Sequence, residues 1–459
     1  MKKNNQIKFL ILFLTFIFLV TSGFSCGQSP ASSQPEITLK YWRVWDDQDD
    51  FQSIISAYRA IHPNVKVEYR KFRYEEYEQA LLEAFAEDRG PDIFSIHNTW
   101  VNKYRSKLLP APDSVTLPYE KTVTHLGFKE EKVVEMKPTR LISPVQVKDK
   151  FIDVVHQDVI WPDSGDNNKE KVYALPLSVD TLVLFYNRDL LNSAGIPEPA
   201  QTWTEFQSHV KTIVKQDKQG DIIQAGAAIG TGHNVSRSFD ILSLLMMQNG
   251  TPMVSNGKVT LATKLEGRET SPAEEALIFY ADFAYPAKEV YTWNEEMPNS
   301  LEAFIGGQVA YFFGYAYNLR DIRNRAPKLN FSYSKLPQIE GNPEINYANY
   351  WVEAVAKKTE HSDWAWDFLQ FATSEEQVKS YLDKAEKPTA LRSLINYQIE
   401  KEDLIPFILQ LLTAKSWYRG QDSAKAENIF KEMITAVVNS EMFVEEAIEL
   451  AAGRIQQTM

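Results

Sequence analysis

From Glu36 onward the apolar positions switch repeatedly between strand and helix spacing. Ile37-Thr38-Leu39-Lys40-Tyr41-Trp42 alternates as a half-buried strand should, Phe51, Ile54, Ile55 and Tyr58 share one helical face that stops by Pro63, and Val65, Val67 and Tyr69 alternate again. A second helical face follows in Tyr77, Ala80, Leu81, Ala84 and Phe85, closed by Gly90-Pro91, and Asp92-Ile93-Phe94-Ser95-Ile96 reads as a third strand. This strand–helix–strand–helix–strand order predicts a parallel sheet covered by helices. Ligands of such sheets bind beyond the carboxyl ends of the strands, so the turns Arg43–Asp47 and His97–Trp100 become candidates.

Residues 110–148 show scattered prolines and no sustained period, and read as an irregular excursion. Order returns in Lys171–Phe206. There Leu182–Tyr186 is a short buried strand, Asn187-Arg188-Asp189 interrupts it, and Gly195, Pro197 and Pro199 make a hard turn. Thr202 and Glu205 form a capping box ahead of the helical face Phe206, Val210, Ile213 and Val214. Ile222–Ile229 reads as a strand ending in the loop Gly230–Asn234, Phe239–Met247 as a helix, and Ser271-Pro272 as a helix start. Further strands are predicted at Gln308–Phe313, near Asn330–Leu336, and at Tyr350–Ala356. The remainder is helical. The pattern restarts after Asp180, which predicts two α/β lobes rather than one.

The N-terminus follows different rules. Lys2, Lys3 and Lys8 precede the apolar stretch Phe9–Val20 and the small residues Thr21-Ser22-Gly23, the layout of a secretory signal over residues 1–25. The single cysteine, Cys26, stands directly before a Ser/Pro/Gln-rich stretch that reads as a tether over residues 26–35. Its position resembles the lipobox of bacterial lipoproteins, although Gly23-Phe24-Ser25 departs from the usual residues. The resemblance implies lipidation of Cys26 and a lipid anchor to the membrane; the alternative is an incidental thiol in a cleaved signal. No disulfide is available to the exported chain.

Charge and composition narrow the function. A formal charge of −12, made more negative when Lys2, Lys3 and Lys8 leave with the signal, argues against nucleic acid or an anionic lipid surface as partner. The 7 His include no HxxxH pair, and neither a G-x-S-x-G elbow nor a glycine-rich phosphate loop is present. No cofactor and no metal is expected. Among 61 acids a pair of carboxylates suited to glycoside hydrolysis has no fixed spacing to betray it, so a surface glycoside hydrolase stays as a minor alternative.

Three blocks then resemble the bacterial extracellular solute-binding proteins of family 1, the sugar-binding lipoproteins of ABC importers. LPLSVDTLVLFYNRDLLNSAGIPEPAQTWTEF is similar to the family's P-x-x-x-D/E-T-x-x-L-x-Y-N-K-D-L…A-G-I-P…T-W-x-E-F run, and FIGGQVAYFFGYAYNL and ANYWVEAVAKKTEHSDWAWDFLQFATSEEQ to two later blocks. The resemblance implies an α/β, two-lobed periplasmic-binding-protein-like fold of class II, maltose-binding-protein-like, each lobe a mostly parallel sheet covered by helices, with a helical C-terminal region. Crossings between lobes are expected near Ser178–Thr181, Phe312–Tyr315 and Ala348–Val355. This gives residues 36–178 plus 312–350 to an N-terminal lobe and 179–311 plus 351–459 to a C-terminal lobe.

The implied function is the extracellular capture of a carbohydrate in the interlobe cleft, by a monomer, for delivery to ABC permease subunits, with no covalent chemistry. An orphan surface lipoprotein that senses or adheres through another polar solute is the alternative. Sugars present apolar CH faces ringed by hydroxyls, so flat aromatics, carboxylates and amides are the side chains to seek. Asp180 matches the family's cleft acid. Trp45 and Asp46 follow the first strand, Asn98 and Trp100 the third. Tyr315 and Trp351 flank predicted crossings, Trp417-Tyr418 falls where the family carries a C-terminal aromatic, and His233 lies in a glycine loop. Each has a plainer alternative in packing, capping or surface polarity. Tyr186 and Asn187 match the motif but read as strand end and turn.

Overall fold

The computed structural model describes residues 34–125 and 129–459. The signal, Cys26 and the tether up to residue 33 lie outside the described residues. The first sheet has the strand order Val65–Phe72, Ile37–Val44, Ile93–His97, Trp351–Val355, Ala174–Leu175. Its first three strands are parallel, with Ile37 opposite Val65 and Tyr41 opposite Ile93, and Trp351–Val355 runs antiparallel to Ile93–His97. Helices Gln48–Ile61 and Tyr74–Ala86 connect the parallel strands as the periodicity predicts, burying Phe51, Ile54 and Tyr58 from one and Tyr77, Leu81 and Ala84 from the other.

The second sheet is ordered Lys215–Gln216, Ile222–Ala227, Val309–Gly314, Val183–Asn187, Phe331–Ser334. It is less parallel than expected. Only Ile222–Ala227 and Val309–Gly314 run together; Val183–Asn187 is antiparallel to both of its neighbours. The helix Trp203–Ile213 starts from the Thr202 capping box foreseen in the sequence, and its Trp203, Phe206 and Val210 pack under this sheet. Asn187 accepts the backbone N–H groups of Asp189 and Leu190, the turn role expected of it.

A third, three-stranded sheet joins the lobes. Asn346–Asn349 lies between Asp180–Thr181 and Ala414–Lys415, antiparallel to the first and parallel to the second. Two of the strands that pass between the lobes are Asp180–Thr181 and Asn346–Asn349. The third is at Ala414–Lys415 and not at Phe312–Tyr315, because Val309–Gly314 continues within the second sheet and its chain returns there as Phe331–Ser334.

Strand pairing also reverses the expected allotment of 312–350 and of the stretch that opens 351–459. Trp351–Val355 belongs to the first sheet, and helices Ser362–Ala372 and Glu375–Ala385 follow it: Asp367 accepts from the Tyr58 hydroxyl at 2.9 Å, and Tyr381 packs on Phe51. Helix Ser423–Val438 returns to the second lobe, where Phe430 packs on Phe239. Local hydropathy marks a buried strand without naming its neighbours, which is why the pattern misassigned these pieces.

Residues 110–148 are not irregular. Ser114–His125 and Lys129–Arg140 form a long antiparallel hairpin in register from Ser114–Arg140 to His125–Lys129. At its base Val115 and Leu117 are buried and Tyr119 meets His62 edge-on, while Val133, Val134 and Met136 are exposed. The alternation at that base, Val115-Thr116-Leu117-Pro118-Tyr119, is short and so escapes a search for sustained period.

Candidate functional site

The parallel strands of both lobes end toward the space between them. In the first lobe Ile37–Val44 ends at Trp45, Val65–Phe72 leads into Tyr74, and Ile93–His97 leads into Asn98–Trp100. Trp351 opens the antiparallel strand and so reaches the same edge. In the second lobe Ile222–Ala227 leads toward Arg237 and Val309–Gly314 into Tyr315 and Tyr317. This convergence is what the carboxyl-end rule requires.

Aromatic rings fill the meeting point. Trp45 stacks on Tyr74 at 5.3 Å, lies nearly parallel to Tyr317 of the other lobe at 6.2 Å, and meets Trp351 edge-on at 6.4 Å. Trp45, Tyr74 and Tyr317 remain 51%, 47% and 50% exposed, high values for large rings that a core would have covered. The turn that presents Trp45 is strained. Its φ is 71°, and the Asp46 N–H bonds back to the Val44 carbonyl at 2.8 Å, closing a three-residue turn unfavourable to a bulky side chain.

A buried ion network beneath holds that turn. The Arg43 guanidinium is 3.0 Å from both Asp46 and Glu353, Glu353 is fully buried and accepts from Ser95 at 2.6 Å, and Asp46 also takes Lys387 and the Tyr381 hydroxyl. Burial works to raise the Asp46 acid, but Lys387 and Arg43 outweigh it and hold it below the ordinary carboxylate range. Asp46 is thus committed to scaffold, and its expected place in a ligand shell is not what the structure gives it.

Asp180 sits in the hinge sheet. Its Oδ1 accepts from the Thr181 N–H and its Oδ2 from the Ala316 N–H, each at 2.9 Å, so it caps the helix Ala316–Arg325 that carries Tyr317. Burial pushes its acid up to about 7 against the pull of those N–H groups and of Lys387. The carboxylate stays partly open and has lone pairs to spare. Nearby, burial pushes His97 down to about 4, leaving a neutral ring between Asn349 and Thr99 with its edge on Trp351.

The other residues singled out in the sequence are placed differently. Trp100 is buried, packs on Trp351 and donates its indole N–H across the cleft to Ser423 at 3.1 Å. Asn98 is buried with its amide donated to Asp158, and its Oδ1 has no partner among the described residues. Tyr315 is fully buried, its hydroxyl donated to Asp240 at 2.6 Å. Trp417 and Tyr418 are packed into the second lobe: Trp417 lies against Phe239 and donates to Ser243, and Tyr418 donates to Thr458. His233 is exposed and makes no ring contact or hydrogen bond with the cluster among the described residues.

Sequence reasoning did not single out Tyr74 and Tyr317, which the structure brings into the ring cluster. Tyr74 carried a usable signal, since it follows the second predicted strand as Trp45 follows the first. Among the described residues no group of three or more His, Cys, Asp or Glu side chains is arranged to hold a metal ion, and no helix is long and apolar enough to cross a membrane. A groove of about 700 Å³ on the first lobe's flank, between Arg140, Lys150 and Arg392, lies away from this ring cluster.

Known proteins share both sequence and architecture with this chain. The galactooligosaccharide-binding protein of Bacillus subtilis is 24% identical over 294 residues, 62% of this chain and 62% of that protein, so the match spans a little under two thirds of the relative. A diacetylchitobiose binding protein of Streptomyces coelicolor is 22% identical over 343 residues, 74% of this chain and 69% of that one. The structure of a sugar-binding protein from Xanthomonas citri superposes with a TM-score of 0.69 at 17% identity, covering 92% of this chain and 97% of that chain, which establishes the two-lobed fold. The family model matches residues 45–379, and the chain belongs to the bacterial extracellular solute-binding proteins.

Proposed function

We propose that this protein captures an oligosaccharide between its two lobes and delivers it to the membrane subunits of an ABC importer. One observation carries the reading: Trp45, Tyr74 and Trp351 of one lobe and Tyr317 of the other form an exposed ring cluster across the cleft, at the strand ends where such folds take ligands. Apolar sugar faces stack on rings, and hydroxyls find partners in the polar groups around them. Relatives named for galactooligosaccharide and diacetylchitobiose support the same class. Asp180, capping the Tyr317 helix from the hinge, couples ring position to lobe closure and offers its free lone pairs to the sugar.

The protein acts as an exported monomer tethered through lipidated Cys26, and it binds without cleaving. Titration of the mature protein with galactooligosaccharides, maltodextrins and chitobiose, followed by Trp fluorescence and calorimetry, tests the capture. Saturable binding of at least one series with no release of reducing sugar is expected; no response from any would sink the carbohydrate reading. Mass spectrometry of the membrane-extracted N-terminus tests the anchor, and Cys26→Ser is expected to release the protein into the soluble exported fraction.

A further inference from the structure

The second lobe meets the cleft with an arrangement of charges that the ring cluster does not use. Arg237 opens the helix Ser238–Gln248 in the left-handed conformation, with φ of 62°, disfavoured for a residue bearing a side chain. What fixes it there is a two-armed contact with Asp240: Nε donates to one carboxylate oxygen at 2.7 Å and Nη2 to the other at 2.9 Å. Asp240 is fully buried and is held from its other side by the Tyr315 hydroxyl. The guanidinium is therefore pre-oriented and already neutralised, while Nη1 carries no hydrogen bond among the described residues.

Glu427, on the helix Ser423–Val438, stands 4.0 Å from Nη2 and makes no hydrogen bond among the described residues. Its side chain keeps 30% exposure. Burial raises its acid above the ordinary range, with Arg237 opposing and Asp240 adding to the rise. Tyr315, whose hydroxyl reaches Asp240, stacks on Tyr317 at 5.7 Å, and Ser423, which opens the Glu427 helix, accepts from the indole of Trp100, itself packed on Trp351, so the pair borders the ring cluster.

We infer that Arg237 and Glu427 determine specificity in the cleft, one donating to and the other accepting from the hydroxyls of a neutral sugar unit, and that together with Asp240 they reject sugars bearing a carboxylate or phosphate. This rests on the carbohydrate reading above. A hydroxyl both donates and accepts, so neighbouring hydroxyls on one ring satisfy the free arm of Arg237 and the open oxygens of Glu427 together. An anionic substituent meets one guanidinium already shared between two carboxylates, Asp240 and Glu427, so it gains little from Arg237 and is repelled by the second acid. A site built on polar pairing discriminates far better than a purely apolar one.

The test is calorimetric titration of the full mature chain with neutral oligosaccharides and with uronate-bearing oligosaccharides of matched length. Wild type is expected to favour the neutral series by about tenfold or more. Glu427→Gln, which keeps size and removes the charge, is expected to shrink that preference by about tenfold while changing neutral-sugar affinity only a few-fold. Arg237→Met is expected to weaken neutral-sugar binding by about tenfold or more. Because Arg237→Met strands buried Asp240, Arg237→Lys serves as its partner: it keeps the charge, loses the free arm, and is expected to weaken binding with an unchanged melting temperature. An unchanged neutral-to-anionic ratio in Glu427→Gln, or tighter binding of uronates by wild type, overturns the inference and leaves the carbohydrate reading standing. Failure of wild type to bind any sugar of either series overturns both.

Discussion

The first lobe meets the cleft with rings and the second mainly with charges. Trp45, Tyr74 and Trp351 stand on a layer of largely buried ions, where Arg43 pairs with Asp46 and Glu353, and Lys387 with Asp46. Arg237 and Glu427 of the second lobe are partly open, at 26% and 30% exposure, with hydrogen-bonding capacity left over among the described residues. Buried ions in the first lobe fix the shape of an apolar platform; open ions in the second are free to choose among ligands. The difference teaches that the charge count of a cleft says little until each charge is assigned its partners. Asp46 and Glu427 are both carboxylates near the cleft, yet one is scaffold and the other is available.

The comparison breaks most visibly if the platform does not depend on its ions. Glu353→Ala leaves Arg43 buried without its main partner, and a loss of about 3–5 kcal/mol in unfolding free energy is expected by urea denaturation; a loss under about 1 kcal/mol would show that the network is dispensable. Next in size is the platform itself. Trp45→Ala is expected to weaken sugar binding by about tenfold to a hundredfold, or about 1.4–2.7 kcal/mol, with the fold retained. Unchanged affinity would move the stacking surface to other rings.

Asp180 offers a pH test between these two faces. Its folded acid is raised to about 7, whereas the unfolded chain titrates near about 4. Between those values the native state holds the proton that the unfolded state has lost, so this group's contribution to stability is present below about pH 4 and falls away as pH rises to about 7. Asp180→Asn is expected to remove roughly 1–2 kcal/mol of that slope, discounted for the water that reaches the cleft. His97, pushed down to about 4, acts in the opposite sense, losing stability as pH falls below about 6.5, so the difference between variant and wild type is the quantity to measure. The smallest effect sharpens the division of labour: Tyr74→Phe keeps the ring and drops the hydroxyl, and under about threefold change in affinity is expected. A larger change would give the first lobe a polar role as well.

Much of the fold was legible because burial imposes periodicity. The first three strands and their two helices, the Thr202 and Ser271 caps, and the paired C-terminal helices all follow from spacing and capping residues in the chain. The site was legible only in part. Trp45 and Trp351 were reachable from their places at strand ends, but Trp417 and Tyr418, equally aromatic and equally near a crossing, are buried against Phe239 and Thr458. An aromatic residue has the same signature in sequence whether it packs or stays open.

The sequence by itself determined the alternation of strands and helices, the restart after Asp180, and the family, because these depend on residues close in the chain and on ordered blocks. Tertiary structure alone decided that Trp351–Val355 joins the first sheet, that Ala414–Lys415 makes the third crossing, that Trp45 lies between Tyr74 and Tyr317, and that Arg237 meets Glu427. Strand partners and ion partners are chosen between segments as far apart as Arg43 and Glu353, and no local pattern records which of several chemically similar partners a residue will meet.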